Sequence, residues 1–456
     1  MPEAAFNVGE FLDRQKFGRF HVLVVALATV IMCLDGYDTF VIAFTNVPMA
    51  RGFAVPPQAL TIAIVLQMTG VAIGAYAMGW VADRTGRRVV LLWCALIFGL
   101  LTLAASRANS VGVFASVRLL SGLFYGGLYP NAVAIVGEIA PRRYRATVVG
   151  IVVAGYTLGP AVAAWSSASI IPAFGWQGAY VAGGVATLIV VPILYFVLPE
   201  SIRFRVHQDR RDPRIGALLR RIDTTLRLTG NEEYVLSEEG EQQKPGISEL
   251  FKNGRAATTL FVWAAVFLVG GVLPLLGSWI PTFFTTLAGL SVERGAALNG
   301  IFAASGLVAL PIASFLVDRW STPARAATLL TILSGLGIAS VGLVDPNSPA
   351  LYLALFLSGA GLLGSISSLT AVATYLYPTR IRGVGVGWAV GATRIGGIAG
   401  PAAGGAMLGA HWSLTAIFLA ASSGAFLAAL TTLGIWIVPR GDGAATTLDP
   451  LPRAGR

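Results

Sequence analysis

Charge is scarce in this chain. Asp, Glu, Lys and Arg together make up 12% of 456 residues, while 55% are hydrophobic. A soluble protein carries about twice that charged share, so a water-soluble globule is excluded. The mean hydropathy of +0.73 points to a polytopic membrane protein. Cysteine is nearly absent too. Cys33 and Cys94 both fall in apolar runs, which argues against a disulfide or a metal site. Histidine is limited to His21, His207 and His411, each near a loop or helix end. No Ser-His-Asp set, metal-ligand cluster or glycine-rich phosphate loop occurs, so no enzyme activity, cofactor or metal is expected. Met1 to Phe20 mixes acids and bases without the ordered regions of a signal peptide, so no cleaved leader is expected.

What is present is apolar length. Twelve runs fall at about 21–44, 58–82, 88–106, 111–135, 146–170, 177–198, 258–286, 295–317, 325–343, 349–376, 383–409 and 413–438. A helix needs roughly 20 residues to cross a bilayer. With both termini in the cytoplasm, nearly every Lys and Arg lies on the inner side. The exceptions are Arg51, Arg107 and Arg294 outside and Arg118 and Arg394 within runs. The net charge of +10 is therefore a positive-inside bias, not a nucleic-acid stripe. The expected layout is a cytoplasmic segment 1–20, a six-helix bundle 21–198, a cytoplasmic linker 199–257, a second bundle 258–438 and a cytoplasmic tail 439–456. The fold class is an all-α membrane protein of twelve transmembrane helices in two six-helix halves.

The linker is the one long polar stretch. It runs from Arg203, Arg205, Arg210, Arg211, Arg214, Arg220 and Arg221 to an acidic patch at Glu232, Glu233, Glu238 and Glu239. It reads as short amphipathic helices on the membrane surface, with a basic run that could bind anionic lipid. A solvated linker face explains the same pattern.

The two halves repeat. Gly79-Trp80-Val81-Ala82-Asp83-Arg84 ends the second run and Ser314-Phe315-Leu316-Val317-Asp318-Arg319 ends the eighth. Pro141-Arg142-Arg143-Tyr144-Arg145 precedes the fifth and Pro378-Thr379-Arg380-Ile381-Arg382 the eleventh; Gly159-Pro160 and Gly400-Pro401 follow inside those runs. A duplicated six-span half is the architecture of a secondary transporter.

The first run contains Asp35-Gly36-Tyr37-Asp38. An acid at the bilayer centre costs on the order of 3 kcal/mol. Three residues apart, the two acids share a helix face, which must point at protein or water. At 1.5 Å per residue Asp35 lies about 20 Å from the inner end of its helix. Arg118 lies about 10–12 Å from the outer end of its own. The depths agree, so a buried acid and base at one level are expected partners. Pairing and burial act on such an acid in opposite directions, which suits a proton carrier: Asp35, with Asp38 on its face, takes the coupling proton and Arg118 tunes it. A permanent structural bridge is the alternative. Arg394 sits near mid-membrane in a glycine-rich run. Its planar fork suits a substrate carboxylate; a partner for Asp35 or Asp38 is the other reading. Tyr37, Tyr156, Trp279 and Trp388 are candidate aromatic walls, and Gln67 and Asn131 candidate hydrogen-bonding groups. Each could equally serve packing or the interfacial belt.

Gly79 through Arg88 resembles the loop 2–3 signature of the major facilitator superfamily. Arg118-Leu119-Leu120-Ser121-Gly122 with Gly126-Gly127, Gly155 to Pro160, and Leu198-Pro199-Glu200-Ser201 resemble three further signatures in order. The glycine pair usual after Pro160 is absent. Asp35 to Asp38, Ser278-Trp279-Ile280-Pro281, and Tyr377 through Trp388 with Arg394-Ile395-Gly396 are similar to the aromatic acid:proton symporter family, with departures at Gly383 and Thr393. The resemblance implies import of aromatic carboxylates such as benzoate and hydroxybenzoates, coupled to protons, by a monomer in a bacterial cytoplasmic membrane. It also implies a cytoplasmic gate of Asp83, Arg84, Arg87, Glu138, Arg145 and Glu200, with Asp318 and Arg319 as its second-half copy. In sugar porters of the superfamily an acid in span one and an arginine in span four play roles similar to those given to Asp35 and Arg118. Related families carry nicotinate, dicarboxylates or sugar acids, so another organic anion is the alternative substrate. An exporter working by proton antiport is less favoured because Ala161 follows Pro160. A ligand-sensing receptor is disfavoured because no large soluble domain is present. The partners expected are thus a small organic anion, protons and the lipid bilayer, and no nucleic acid.

Overall fold

The computed structural model describes residues 5–228, 232–236, 246–320 and 323–437. Glu238, Glu239 and the tail 439–456 lie outside the described residues, as does the side chain of Asp318. Secondary structure is almost wholly helical. The first half comprises α1 (Val8–Arg14), α2 (Arg19–Gly52), α3 (Thr61–Thr85), α4 (Arg87–Ala105), α5 (Val111–Tyr125), α6 (Leu128–Ile139) and α7 (Arg142–Val197). The linker forms α8 (Ile202–Gln208) and α9 (Pro213–Ile222). The second half comprises α10 (Ala256–Leu287), α11 (Val292–Trp320), α12 (Pro323–Leu343), α13 (Ala350–Leu376), α14 (Thr379–Gly409) and α15 (Leu414–Ile437). Two short strands, β1 (Phe6–Asn7) and β2 (Tyr234–Val235), pair in parallel.

Among the described residues ten stretches are long and apolar enough to cross a membrane. One of them, α7, is 56 residues long and is broken at Gly175, whose φ of 69° and ψ of −177° suit glycine alone. The break falls between the fifth and sixth apolar runs. Another helix, α14, is 31 residues long yet is not among the ten, being rich in glycine and carrying Arg380, Arg382 and Arg394. The fourth run is split into α5 and α6 at Gly126-Gly127. Pro130 in the first turn of α6 has no N–H to give back across the break. The missing Cβ atoms let α3 close on it: a side chain at Gly126 would strike Val71 and Ala75, and one at Gly127 would strike Met78.

The chain divides into two compact units. The first is Met1–Thr39, Thr69–Gly159 and Trp176–Glu241; the second is Phe40–Met68, Pro160–Gly175 and Gln242–Arg456. In the first unit, small residues set the helix spacing. Gly36 lies against the Tyr156 carbonyl, Gly155 against Thr29, and Gly159 against the backbone of Cys33 and Tyr37, so α2 and α7 touch backbone to backbone. Gly70 and Gly74 do the same for α3 against Leu119 and Leu123 of α5, whereas Gly79 meets nothing.

The linker and N-terminus are part of that unit's core. Ile215, Leu218 and Leu219 of α9 are buried with Ile202 and Val206 of α8, Val8 and Leu12 of α1, and Tyr234. This corrects the expectation of amphipathic helices lying on the membrane surface. The apolar face of α9 is covered by protein, where each buried aliphatic side chain contributes up to about 1.5–3 kcal/mol. Asp212 caps α9: its Oδ1 accepts the Arg214 N–H at 2.9 Å and its Oδ2 meets Arg205 Nη1 at 2.9 Å.

In the second unit α10 and α14 pack along a glycine ladder. Gly396 lies against Phe267 and Gly271, Gly400 against Gly271, and Gly404 against the Trp279 ring. Phe40 of α2 lies against Gly277 of α10, Thr61 of α3 lies against Gly405, and the Asn299 amide donates to the Gly277 carbonyl at 3.1 Å. These contacts explain why the ends of α2 and α3 group with the later helices.

Candidate functional site

The first unit buries a charged cluster between α2, α4 and α5. Arg118 is 0% exposed, and Asp35 and Asp38 are 2% and 1% exposed. Arg118 donates from Nη1 to Asp38 Oδ2 at 2.7 Å and from Nη2 to the Asp38 carbonyl at 2.8 Å. Thr102 Oγ1 donates to the other carboxylate oxygen at 3.1 Å. The Tyr180 ring lies 5.6 Å from the guanidinium carbon. A fully buried charge pair is tolerated only when its remaining oxygens and N–H groups are satisfied. Here both Asp38 oxygens accept hydrogen bonds, while Arg118 Nε is buried with no partner among the described residues.

Arg118 thus pairs with Asp38, and the expectation that it pairs with Asp35 is corrected. Asp35 lies one turn away and shares a hydrogen bond with the Tyr125 hydroxyl. Thr39 completes that corner: its hydroxyl donates to the Asp35 carbonyl at 2.9 Å and contacts the Tyr125 hydroxyl. Thr39, Thr102, Tyr125 and Tyr180 had not been singled out from sequence. Thr39 stands four residues after Asp35 on the same face; the others are isolated in their own runs and carry no such signal.

The other expected residues divide between open and packed positions. Tyr37 is buried, donates from its hydroxyl to the Ala179 carbonyl at 2.9 Å and lies against Gly183. Trp279 is 0% exposed, donates from Nε1 to the Pro401 carbonyl at 3.0 Å and stacks on Phe283. Both act as bolts between helices, the packing role that was the alternative to a substrate wall. Asn131 donates to the Gly127 carbonyl at 2.7 Å and so serves the α5–α6 break rather than a substrate. Tyr156 is half-buried on α7. Trp388 is exposed and stacks on Trp263 at 5.7 Å.

Three groups in the second unit stand out by what they do not bond. Arg394 is half-buried within α14 and makes no ion pair among the described residues. Gln67 is 1% exposed, and neither of its amide atoms has a partner among the described residues. Asn46 is in the same condition at 0% exposed and had been overlooked. Its signal was available: Asp35, Thr39 and Asn46 follow helical spacing along one face of α2.

At the cytoplasmic-type motifs the expected net is smaller than its residue list. Arg87 pairs with Glu138, which also accepts from the Ser201 hydroxyl. Glu200 accepts the backbone N–H groups of Arg88 and Ser201 at 3.0 and 2.9 Å. It covers Gly86, whose φ of 101° and lack of room both require glycine. Asp83, Arg84 and Arg145 are exposed and outside this net; Arg84 stacks over Trp80 at 3.6 Å. Arg319 is exposed as well. Nearby, Glu249 meets Lys252 and Arg380. The Lys252 ammonium, followed by Arg380, outweighs the slight burial and holds the Glu249 carboxyl below its ordinary range.

Long apolar helices, with a sealed ion pair inside one unit and an arginine that has no ion pair among the described residues inside the other, fit a membrane transporter. The chain matches the major facilitator superfamily over residues 26–345 and 298–455, and it belongs to that superfamily. It is 32% identical to a gallate transporter of Pseudomonas putida over 94% of this chain and 95% of that protein. It is 31% identical to the 4-hydroxybenzoate transporter PcaK of Acinetobacter baylyi over 91% of each. Among solved structures, a D-xylose-proton symporter superposes with a TM-score of 0.72 at 18% identity, over 92% of this chain and 99% of that one. That likeness concerns the fold alone. The chain is a transporter of that superfamily, not an enzyme.

Proposed function

We propose that this chain is a proton-coupled symporter that imports single-ring aromatic carboxylates across a bacterial cytoplasmic membrane. It crosses the bilayer twelve times as a monomer, with both termini cytoplasmic; α7 crosses twice around Gly175, and α14 crosses with Arg394 inside it. The observation that carries the reading is the pair of acids on α2: Asp38 bound by Arg118 and Thr102, and Asp35 beside the Tyr125 hydroxyl. A carboxyl group next to a phenol keeps a hydrogen bond in either protonation state, because the phenol can donate to the carboxylate or accept from the acid. Asp35 is therefore the proton carrier. Asp38 and Arg118 hold the surrounding charge fixed while the carrier gains and loses its proton.

Arg394 receives the substrate carboxylate, because a half-buried guanidinium without a carboxylate of its own presents a two-pronged donor. Gln67 and Asn46, with unbonded amides, supply polar contacts. The aromatic class is supported by the relatives, one a gallate and one a 4-hydroxybenzoate transporter. The Arg87–Glu138–Ser201 contact and the Glu200 cap are the cytoplasmic gate, with Asp83, Arg84, Arg145, Asp318 and Arg319 available to it in other conformations.

Thermal shift of the purified protein tests the substrate class. The panel is benzoate, hydroxybenzoates, protocatechuate, gentisate, nicotinate, a short dicarboxylate and glucuronate. A ligand that binds only the folded state raises the apparent stability by mass action. Stabilisation by ring carboxylates, lost in Arg394→Ala, is the expected result. Stabilisation by the dicarboxylate or the sugar acid alone would discard the aromatic substrate and leave the fold argument standing.

A further inference from the structure

The two acids of α2 are met by different kinds of partner. Among the described residues Asp38 is met by the Arg118 guanidinium, which can only donate, and by the Thr102 hydroxyl donating to its other oxygen. That set suits one state, the carboxylate. Asp35 is met by hydroxyl groups. Its side chain shares a hydrogen bond with the Tyr125 hydroxyl. Tyr125 in turn contacts the Thr39 hydroxyl, and Thr39 donates to the Asp35 carbonyl at 2.9 Å. Asp35, Thr39 and Tyr125 are all buried.

The protons of this corner can be counted. A hydroxyl owns one proton and can accept as well as donate. A carbonyl can only accept, so the Thr39 proton points at the Asp35 carbonyl. Thr39 then accepts from Tyr125. With the Tyr125 proton directed at Thr39, the hydrogen bond between Tyr125 and Asp35 takes its proton from the acid. The arrangement is therefore complete with a protonated Asp35, and it runs one way: Asp35 carboxyl to Tyr125, Tyr125 to Thr39, Thr39 to the Asp35 carbonyl. Loss of the proton reverses it. Thr39 turns to donate to Tyr125, and Tyr125 donates to the carboxylate. The carbonyl that Thr39 leaves still accepts the Thr39 backbone N–H within α2.

We propose that Thr39 and Tyr125 are positioning residues for the proton step: a reversible pair of hydroxyl groups that holds Asp35 in both protonation states and sets the pH at which it loads. The proposal rests on the reading of Asp35 as the proton carrier. In both states Asp35 and Tyr125 stay bonded to each other, so loading needs only the rotation of two hydroxyl hydrogens. The transported proton passes between Asp35 and water, and neither Tyr125 nor Thr39 gives one up. Asp38 and Arg118 face the same region as an ion pair, which presents no net charge to Asp35. From α7, Tyr156 stands near the Tyr125 hydroxyl and Tyr180 lies over Arg118. From α4, the uncharged Phe98 ring packs on Tyr125, and the Cys94 thiol lies beside Gly127.

The test is uptake of labelled 4-hydroxybenzoate by full-length protein in proteoliposomes. The pH gradient is held constant, substrate is saturating and external pH is varied. Uptake falls as pH rises past the point at which Asp35 loads. Thr39→Val offers no acceptor. With Asp35 neutral, one of the two remaining protons then lacks a partner; with Asp35 ionised, the single proton of Tyr125 still lies on the carboxylate. The midpoint should therefore move down by about half to one pH unit, the worth of one hydrogen bond. Tyr125→Phe removes the donor to the carboxylate. A charged group gains more from a hydrogen bond than a neutral one, so the midpoint should move up by about one unit. Thr39→Ser keeps the hydroxyl and should keep the wild-type midpoint. Shifts of opposite sign, with rescue by serine, are not produced by altered packing alone. Exchange of labelled for unlabelled substrate at equal pH identifies the variants that fold, and the two Thr39 variants decide the matter if Tyr125→Phe does not. An unmoved midpoint in Thr39→Val, or a Thr39→Ser midpoint that follows it, overturns the assignment and leaves Asp35 as the carrier. If Asp35→Asn keeps both accumulation and the wild-type pH profile, the carrier reading falls and the assignment falls with it.

Discussion

Arg118 and Asp38 form an ion pair sealed inside the first unit, 2.7 Å apart with side-chain exposures of 0% and 1%. Removing one partner leaves the other buried and uncompensated. Asp38→Asn should therefore destabilise the protein by about 3–5 kcal/mol. The double variant Asp38→Leu with Arg118→Met should lose less than the sum of the two single changes, because neither charge is stranded. Unfolding in detergent, followed by tryptophan fluorescence, measures both. Equal, additive losses would mean that the two side chains do not act as a pair.

Asp35 keeps a hydrogen-bonding shape as asparagine but loses the proton. In proteoliposomes Asp35→Asn should bind aromatic acids and exchange labelled for unlabelled substrate, yet fail to accumulate substrate when a pH gradient is imposed. Retained accumulation would move the carrier role to another group. Asp38 is held by Arg118 whereas Asp35 stands beside the Tyr125 hydroxyl, which is why the two acids should respond differently to the same change.

Much of this site was legible in the sequence, and the part that was not has a geometric cause. Two acids in an apolar run, and an arginine at matching depth, can be placed by rise along the helix. Asp35 and Asp38 differ by only about 4.5 Å in rise, which is inside the uncertainty of a span boundary, so depth alone cannot choose the partner. Rotation about the helix axis decides it, and that is set by the contacts of Gly36 with α7 and of Gly159 with α2. The repeated loops and helical runs were legible because charge and glycine mark them. The break at Gly126-Gly127 was not, since two glycines in a span also read as packing. The linker was misread for another reason. An amphipathic helix has the same pattern whether its apolar face meets lipid or protein, and its partners Val8, Leu12 and Phe6 are some 200 residues away in the chain. Trp279 and Tyr37 were visible as aromatics, but only the structure shows their polar atoms tied to Pro401 and Ala179.

Arg394→Lys tests the anion site by shape rather than by charge. Lysine keeps the positive charge but cannot form two parallel hydrogen bonds to one carboxylate. A charge-assisted hydrogen bond is worth about 1.5–3 kcal/mol, so the apparent affinity for a ring carboxylate should fall about 10- to 100-fold. Equilibrium binding to protein in nanodiscs reads this directly. An affinity within twofold of wild type would assign Arg394 to helix packing or to a point-charge role.

Asp212 links the linker to pH. Burial raises its carboxyl pKa, but the Arg214 N–H and the Arg205 guanidinium outweigh that and hold it below the ordinary carboxylate range. A group with a depressed folded-state value contributes stability above its unfolded value, near 3.9, and loses it as pH falls through the folded value. The docking of α9 should therefore be constant from neutral pH down to about pH 4 and weaken below it. Asp212→Ala removes the cap and should cost α9 about 1 kcal/mol at neutral pH. It should also abolish the acid-dependent part of the weakening. Hydrogen exchange over residues 213–222, compared with α4 as an internal reference, follows both effects. Protection of α9 that is the same at pH 3 and pH 7 in the wild type would show that burial of Ile215, Leu218 and Leu219 holds the helix without its cap.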